Sequence, residues 1–246
     1  MNEEKELTLV EHLEELRKRL IIISITFVLS LLLGFWLAPK TLNFIKQQPT
    51  ATVVDWNIFG YTDGLMIYVK CALILALLIT LPVTLWQIWL FVKPGLTEKE
   101  AKGTLFYIPI SFLLFLLGIS FSYFLLFPLM VNFLSNVNTS IGAIETYGIK
   151  QYFTLLFHIV LPVGLVFELP VVILFLTNVG IVTPDKLKRM RKVAYFILII
   201  IGVSISPPDF LSDFIIVVPL LLLFEISIGI SSWSLKRRER LNVTYE

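Results

Sequence analysis

Residues 71–92 read CALILALLITLPVTLWQIWLFV, 22 successive positions without a charged side chain. As an α-helix, such a run is long enough to cross the hydrocarbon core of a bilayer, which takes about 20 apolar residues. Similar runs recur along the chain, which is 57% hydrophobic and 15% charged and has a mean hydropathy of +0.87. A soluble domain of 246 residues could not bury so many apolar side chains. The sequence therefore predicts an integral membrane protein.

The apolar runs predict an all-α integral membrane protein with about six transmembrane helices, the last two of them short. The predicted spans are residues 20–38, 66–92, 104–128, 152–178, 193–206 and 210–233. The fifth would reach only about 21 Å at 1.5 Å per residue, against a hydrocarbon core of about 30 Å. Residues 193–233 are therefore either two short spans or a re-entrant hairpin. Because the loops are too short for a soluble domain, residues 1–246 are predicted to form a single membrane domain.

The N terminus is predicted to form a short interfacial amphipathic helix that leads into the first span. Residues 8–11 read TLVE, which has the spacing of a capping box. Leucines at positions 9, 13, 16 and 20 then recur at helical intervals.

Positive charges predict the orientation, because lysine and arginine remain in the cytoplasmic loops of membrane proteins. Sixteen of the 20 basic residues lie in four segments: the N terminus to Arg19, the loop with Lys93, Lys99 and Lys102, the loop from Lys186 to Lys192, and the tail from Lys236. The intervening loops hold only Lys40, Lys46 and Lys150. Both chain ends are therefore predicted to be cytoplasmic.

Six carboxylates lie within the first 15 residues, at positions 3, 4, 6, 11, 14 and 15. Two interpretations stay open. The carboxylates could pair within the helix, with Glu14 bonded to Lys18 and Glu15 to Arg19 at the spacing i,i+4. Alternatively, they could form a docking site for a cationic ligand, because an acidic cluster is unusual on a basic cytoplasmic side.

Glu168 is an acidic residue inside the fourth predicted span. Because a charge at that depth is unfavourable, it faces protein or water and indicates a functional site. Pro162 and Pro170 bracket it and are expected to kink the helix. The alternative is a buried, hydrogen-bonded carboxyl with a purely architectural role.

The sequence lacks the motifs that are typical of several enzyme classes. It contains no HExxH metalloprotease motif, no GxSxG nucleophile elbow and no P-loop. Its single cysteine, Cys71, has no partner for a disulfide or a cysteine-based metal site. The sequence predicts neither catalysis nor a cofactor nor a metal site.

Four motifs in order resemble those of the TatC family, the multi-spanning receptor and core subunits of the twin-arginine protein translocase. The motifs are HLEELRKR at 12–19, QIWLFVKPGL at 87–96 followed by Glu100, FELP at 167–170, and SPPD at 206–209 with Pro219 and Glu225. The chain departs from the family pattern at Asp213, where Gln is expected, and at Phe224, where Tyr is expected. The resemblance covers nearly the whole chain.

The resemblance implies that folded proteins with an Arg-Arg signal peptide dock on the cytoplasmic face of this subunit and are exported with the proton-motive force. It also implies an inner-membrane location, membrane lipid and single-span subunits of the TatA/TatB type as partners, self-association in the complex, and no nucleic acid. The implied signal-binding residues are Glu15, Glu100, Arg17, His12, Phe91 and Pro94. Intramembrane contacts to partners would involve Glu168, Gln87 and Glu225, and Pro207, Pro208 and Asp209 would form a loop motif.

Two other classes of membrane protein fit the sequence less well. A small-solute secondary transporter could use Glu168 and Lys70 for protons or substrate, but transporters usually show inverted repeats and paired broken helices. Neither is visible in the sequence, and the acidic N-terminal helix would have no role. An intramembrane protease would need a nucleophile or metal ligands, which the sequence lacks.

Overall fold

A computed structural model describes residues 9–52, 56–95, 105–142, 146–207 and 209–243. These residues form helices joined by short turns, with an isolated parallel bridge between Asn57 and Gly148. The α-helices in the described ranges are α1 Leu9–Lys46, α2 Pro49–Thr52, α3 Asp63–Val92, α4 Tyr107–Phe121, α5 Phe127–Ser140, α6 Ile149–Val166, α7 Leu169–Asn178, α8 Pro184–Arg189, α9 Arg191–Ile205 and α10 Phe210–Val243. The predicted all-α class is confirmed.

Five helical stretches of the described residues are long and apolar enough to cross a membrane: Glu11–Lys46, Asp63–Val92, Tyr107–Ser140, Ile149–Asn178 and Phe210–Lys236. Large apolar side chains along these stretches are widely exposed, among them Leu32, Leu117 and Leu222. A soluble protein rarely exposes so much contiguous apolar surface. Contact with lipid accounts for it.

The predicted N-terminal helix is not a separate element. It is the beginning of α1, which continues without interruption for 38 residues. The sequence between Leu9 and Ala38 contains no proline and only Gly34, so nothing ends the helix before the apolar run begins. Of the predicted leucine stripe, Leu13, Leu16 and Leu20 are exposed.

The prediction that the last two helices are both short holds for α9 only. Helix α9 has 15 residues, whereas α10 has 34 because its helix continues through the basic tail beyond Trp233. Helix α9 packs antiparallel along the first half of α10. Tyr195 contacts Phe224, and Gly202 lies against Val217. Residues Phe210–Lys236 of α10 are long and apolar enough to cross a membrane, whereas α9 is shorter. The choice between two spans and a re-entrant hairpin stays a prediction.

The described residues fall into two compact units, of which the first comprises 9–42, 68–95 and 105–108. Its centre is the close packing of α1 on α3 at small residues. A Cβ on Gly34 would lie 2.4 Å from the backbone oxygen of Ala72, so no larger residue fits there. Nearby, the Tyr68 hydroxyl donates to the carbonyl of Phe35 at 2.8 Å. Close approach at small residues is a usual way for membrane helices to associate.

The second unit comprises the described residues of 43–67 and 109–243. Its core consists of fully buried aromatic and aliphatic side chains: Phe115, Leu126, Phe127, Met130, Phe153, Leu156, Ile159, Val163, Ile216 and Leu220. Hydroxyl and amide groups join α7 to α10, with Thr177 bonded to Ser231 at 2.7 Å and Ser234 to Asn178 at 2.8 Å.

Two long helical stretches of the second unit are interrupted next to prolines. A π-helical segment, Ser122–Leu126, lies between α4 and α5 just before Pro128. Helix α6 gives way to α7 at Phe167 and Glu168, two residues before Pro170. Because proline lacks an N–H, it cannot complete the regular helical ladder at either place. The predicted kink thus lies at Glu168 itself, while Pro162 remains within α6.

Candidate functional site

The beginning of α1 and the end of α3 lie side by side in the first unit. The ring of His12 stacks on that of Phe91, with centroids 4.3 Å apart and planes inclined by 28°. These residues belong to the first and second sequence motifs. The structure therefore brings two of the predicted signal-binding residues into direct contact.

About two turns after His12 on α1, Arg19 joins Glu15 to α3. Its Nη2 donates to Glu15 Oε1 at 2.9 Å, and its Nη1 donates to Gln87 Oε1 at 3.1 Å. The Arg19 and Glu15 side chains are 25% and 23% exposed, and Gln87 is buried. Gln87, which the resemblance placed among the partner contacts, thus lies beside the predicted signal-binding carboxylate, and its role stays a prediction.

The predicted pairing within the N-terminal helix is confirmed for both pairs. Besides Glu15 and Arg19, Lys18 Nζ lies 3.2 Å from Glu14 Oε1. The side chains of this second pair are more than half exposed. Exposed pairs of this kind contribute at most about 1 kcal/mol. The two neighbouring pairs therefore share a spacing but differ in their environment.

The other predicted signal-binding residues differ in placement. Arg17 is exposed and lines an open cleft of about 410 Å³ together with the apolar side chains Leu13, Leu16, Leu20, Ile21 and Ile25 and with Ser24. Pro94 lies in a 3₁₀ turn, Lys93–Gly95, directly after α3. Glu100 lies outside the described residues.

Glu168 is buried in the second unit, at the turn between α6 and α7. Its Oε2 accepts a hydrogen bond from the hydroxyl of Ser111 on α4. Its other oxygen, Oε1, is buried and has no hydrogen-bond partner within the described part of the chain. A buried acceptor without a partner is unfavourable, so this carboxyl is prepared to accept a further hydrogen bond.

Glu225 on α10 is paired with two residues of α9. Its Oε2 lies 2.7 Å from Arg191 Nη2, and its Oε1 accepts from the Tyr195 hydroxyl at 2.5 Å. Phe224, one of the two departures from the family pattern, packs edge-on against the Tyr195 ring. Glu225 therefore joins the two last helices, and its predicted contact to a partner stays a prediction.

The loop motif forms the turn between α9 and α10. Asp209 precedes the first residue of α10, and its Oδ1 accepts from the backbone N–H of Ser212 at 2.7 Å, so it caps that helix. Asp213, the second departure, accepts a hydrogen bond from Ser206 across the turn. Pro207 lies in the same turn, whereas Pro208 is outside the described residues.

Comparison with known proteins decides the family. The family model described as Sec-independent protein translocase protein (TatC) matches residues 11–219. The chain belongs to the TatC family. The family predicted from the four motifs is thereby confirmed, and the chain is a multi-pass protein of the cytoplasmic membrane and a component of the Sec-independent (Tat) translocase.

Individual TatC proteins match along almost their whole length. The chain is 44% identical over 238 residues to the Sec-independent protein translocase protein TatC of Halalkalibacterium halodurans, covering 97% of this chain and 94% of that protein. It is 43% identical to TatCy of Bacillus subtilis, covering 96% and 92%. A crystal structure of a twin-arginine translocase receptor TatC superimposes with a TM-score of 0.81 at 32% identity, over 91% of this chain and 99% of that one.

Two of the polar contacts that the sequence of this TatC-family chain did not predict involve the site and a cleft in the second unit. One is the bond from Arg19 to Gln87 on another helix. The other is an ion pair of 2.9 Å between Lys150 and the buried carboxylate of Asp63, which borders a cleft of about 650 Å³. In both cases the partners are far apart in the chain, so no local spacing could have indicated them.

Proposed function

We propose that this TatC-family chain is the receptor and core subunit of its translocase and binds Arg-Arg signal peptides at its cytoplasmic face. The observation that carries the proposal is the juxtaposition of His12, Glu15 and Phe91 where α1 begins and α3 ends. The carboxylate of Glu15 suits an arginine, because a guanidinium presents a rigid fork of donors whereas lysine offers a point charge.

The charge distribution supports a cytoplasmic location for this surface. With 16 of the 20 basic residues in the N-terminal, tail and alternate loop segments, both chain ends face the cytoplasm. Residues 1–246 then act as a single membrane domain. Glu100 follows α3 in sequence, and we assign it to the same cytoplasmic face as the second carboxylate for the arginine pair.

Charge pairs at a wet surface supply only part of the affinity. Each contributes at most about 1 kcal/mol, whereas burial of one leucine side chain contributes about 1.5–3 kcal/mol. The exposed side chains of Leu13, Leu16 and Leu20 offer such a surface on the same helix as Glu15. The carboxylates therefore select the arginine pair, and the apolar segment of the signal peptide provides most of the binding free energy.

Glu168 is proposed to recruit the single-span subunits of the TatA/TatB type. A polar group inside hydrocarbon can bind a polar residue of a neighbouring helix. The buried Oε1 of Glu168, which lacks a partner within the described ranges, supports this role. Assembly of these subunits would then allow export of folded proteins with the proton-motive force, without catalysis by this chain.

A peptide-binding measurement tests the proposal. Labelled signal peptides with Arg-Arg or Lys-Lys are titrated against the purified protein in lipid nanodiscs. We expect the Arg-Arg peptide to bind at least about ten-fold more tightly. Equal binding of both peptides would overturn the receptor assignment and favour the solute-transporter alternative.

A further inference from the structure

We propose that Arg19 is an internal ligand of Glu15, which the arginine of a signal peptide must displace, and that Gln87 retains Arg19 after displacement. The inference rests on the proposed function, since it concerns the same carboxylate. Before a signal peptide binds, Glu15 is then already occupied by a guanidinium, the same group that the signal peptide presents.

The geometry of Arg19 is that of an incomplete guanidinium contact. A single donor, Nη2, reaches a single oxygen of Glu15, while Nη1 is used for Gln87 on α3. An arginine that approaches Glu15 with two parallel donors would form the stronger bidentate contact. The internal contact is thus strong enough to occupy Glu15 and weak enough to be replaced.

Burial distinguishes this pair from its neighbour. Arg19 and Glu15 are about a quarter exposed, whereas Lys18 and Glu14 are 69% and 62% exposed. Reduced exposure to water strengthens an ion pair. In addition, the Nε of Arg19 is buried without a hydrogen-bond partner in the described part of the chain. Arg19 therefore competes for Glu15 although its own hydrogen bonding there is incomplete.

Gln87 gives the displaced side chain a second acceptor. Its amide oxygen is neutral, so it accepts a bond from Arg19 without competing for the charge of Glu15. Because Gln87 is buried and lies on another helix, its position does not depend on α1 alone. When a signal arginine takes Glu15, Arg19 can keep its bond to Gln87 instead of losing both partners.

Competition of this kind predicts a specific pattern of affinities. An internal ligand lowers the affinity of every peptide that uses Glu15 by the same factor, so its removal strengthens all of them equally and leaves their ratio unchanged. A residue that merely positions Glu15 would behave in the opposite way, since its loss would weaken binding.

The test compares Arg19→Gln with Lys18→Gln, which removes the same charge one residue away. Dissociation constants are measured in nanodiscs for peptides with Arg-Arg and with Arg-Lys. We expect Arg19→Gln to bind both peptides about three- to five-fold more tightly, with Lys18→Gln unchanged. Gln87→Leu should weaken binding, because Arg19 then has only Glu15 as its acceptor. Arg19→Lys, which cannot serve both acceptors with a planar fork, should lie between Arg19→Gln and the unaltered protein.

Unchanged or weaker binding by Arg19→Gln, in protein that elutes as the unaltered chain does in gel filtration, would overturn the inference. An equal increase in peptide affinity in Lys18→Gln would also overturn it, because the effect would then come from the loss of one positive charge and not from Arg19 itself. These outcomes differ from failure of the proposed function, in which the unaltered protein would itself fail to prefer Arg-Arg over Lys-Lys.

Discussion

The ring of His12 stacks on the ring of Phe91, and through this contact the beginning of α1 is held against the end of α3. Glu15 lies one turn after His12, and the loop with Glu100 follows Phe91 in sequence. The stacked pair thus connects the two segments that carry the carboxylates proposed to bind a signal peptide.

A double-mutant cycle on this pair tests the connection. His12→Ala and Phe91→Ala each remove the stack, which is worth about 0.5–1.5 kcal/mol. We expect each to weaken binding of an Arg-Arg peptide and the double variant to be little worse than either. Trp36→Ala combined with His12→Ala serves as the control, because Trp36 lies far along α1. Strict additivity of His12→Ala and Phe91→Ala would contradict a shared role.

For Glu168, the expected effect separates binding from transport. In Glu168→Ala, recruitment of single-span subunits and export should be lost while binding of an Arg-Arg peptide stays within about two-fold, because Glu168 is proposed to contact partner helices and not the signal. Pull-down and export assays measure recruitment and transport separately. Ser111→Ala removes only the neighbouring donor and is the control for local packing. Loss of peptide binding in Glu168→Ala would contradict the division of roles.

At Gly34, even a methyl group is expected to separate α1 from α3. The added Cβ would lie 2.4 Å from the backbone oxygen of Ala72, so a helix must move. Overpacking of this kind typically lowers the free energy of unfolding by about 1–3 kcal/mol. Thermal unfolding in detergent should show the loss for Gly34→Ala. Gly229→Ala is the matched control, since its added Cβ meets no atom within 4 Å apart from its chain neighbours and its own helix backbone. Equal stability of the two variants would refute the close approach.

The cap at Asp209 should contribute to stability without contributing to signal binding. Asp209→Ala removes the acceptor for the Ser212 N–H and is expected to destabilise the protein by about 1 kcal/mol. Asp209→Asn, which keeps a suitable oxygen, should restore most of the loss. Thermal unfolding measures both variants, and a larger loss in Asp209→Asn than in Asp209→Ala would rule out capping as the role of this side chain.

Much of the fold could be predicted because charge and hydropathy act locally. The run at 71–92 lies within α3, and the pairing of Glu15 with Arg19 follows from helical spacing alone. The uninterrupted α1 and the long α10 were not predicted. A helix can continue from hydrocarbon into water with the same backbone conformation, so the end of an apolar run does not mark the end of the helix. The charged end of α10 is such a continuation.

The contacts between helices could not be predicted from spacing. Arg19 reaches Gln87 and Asp63 reaches Lys150 only because distant helices pack together. The motif residues themselves were recognisable, yet the pairing of Glu225 with Arg191 and Tyr195 required the antiparallel packing of α9 on α10. Motifs therefore indicated which residues matter, while their partners depended on packing.

Site-specific crosslinking of a twin-arginine signal peptide to Glu15→Lys tests the central claim most directly. The substitution reverses the charge at a partly buried carboxylate, so the peptide's arginine pair is repelled and we expect crosslinking to be abolished, as also in Glu100→Lys. Glu14→Lys makes the same change at an exposed neighbour and should crosslink as the unaltered protein does. Undiminished crosslinking in Glu15→Lys would contradict the assignment of this surface as the receptor for signal peptides.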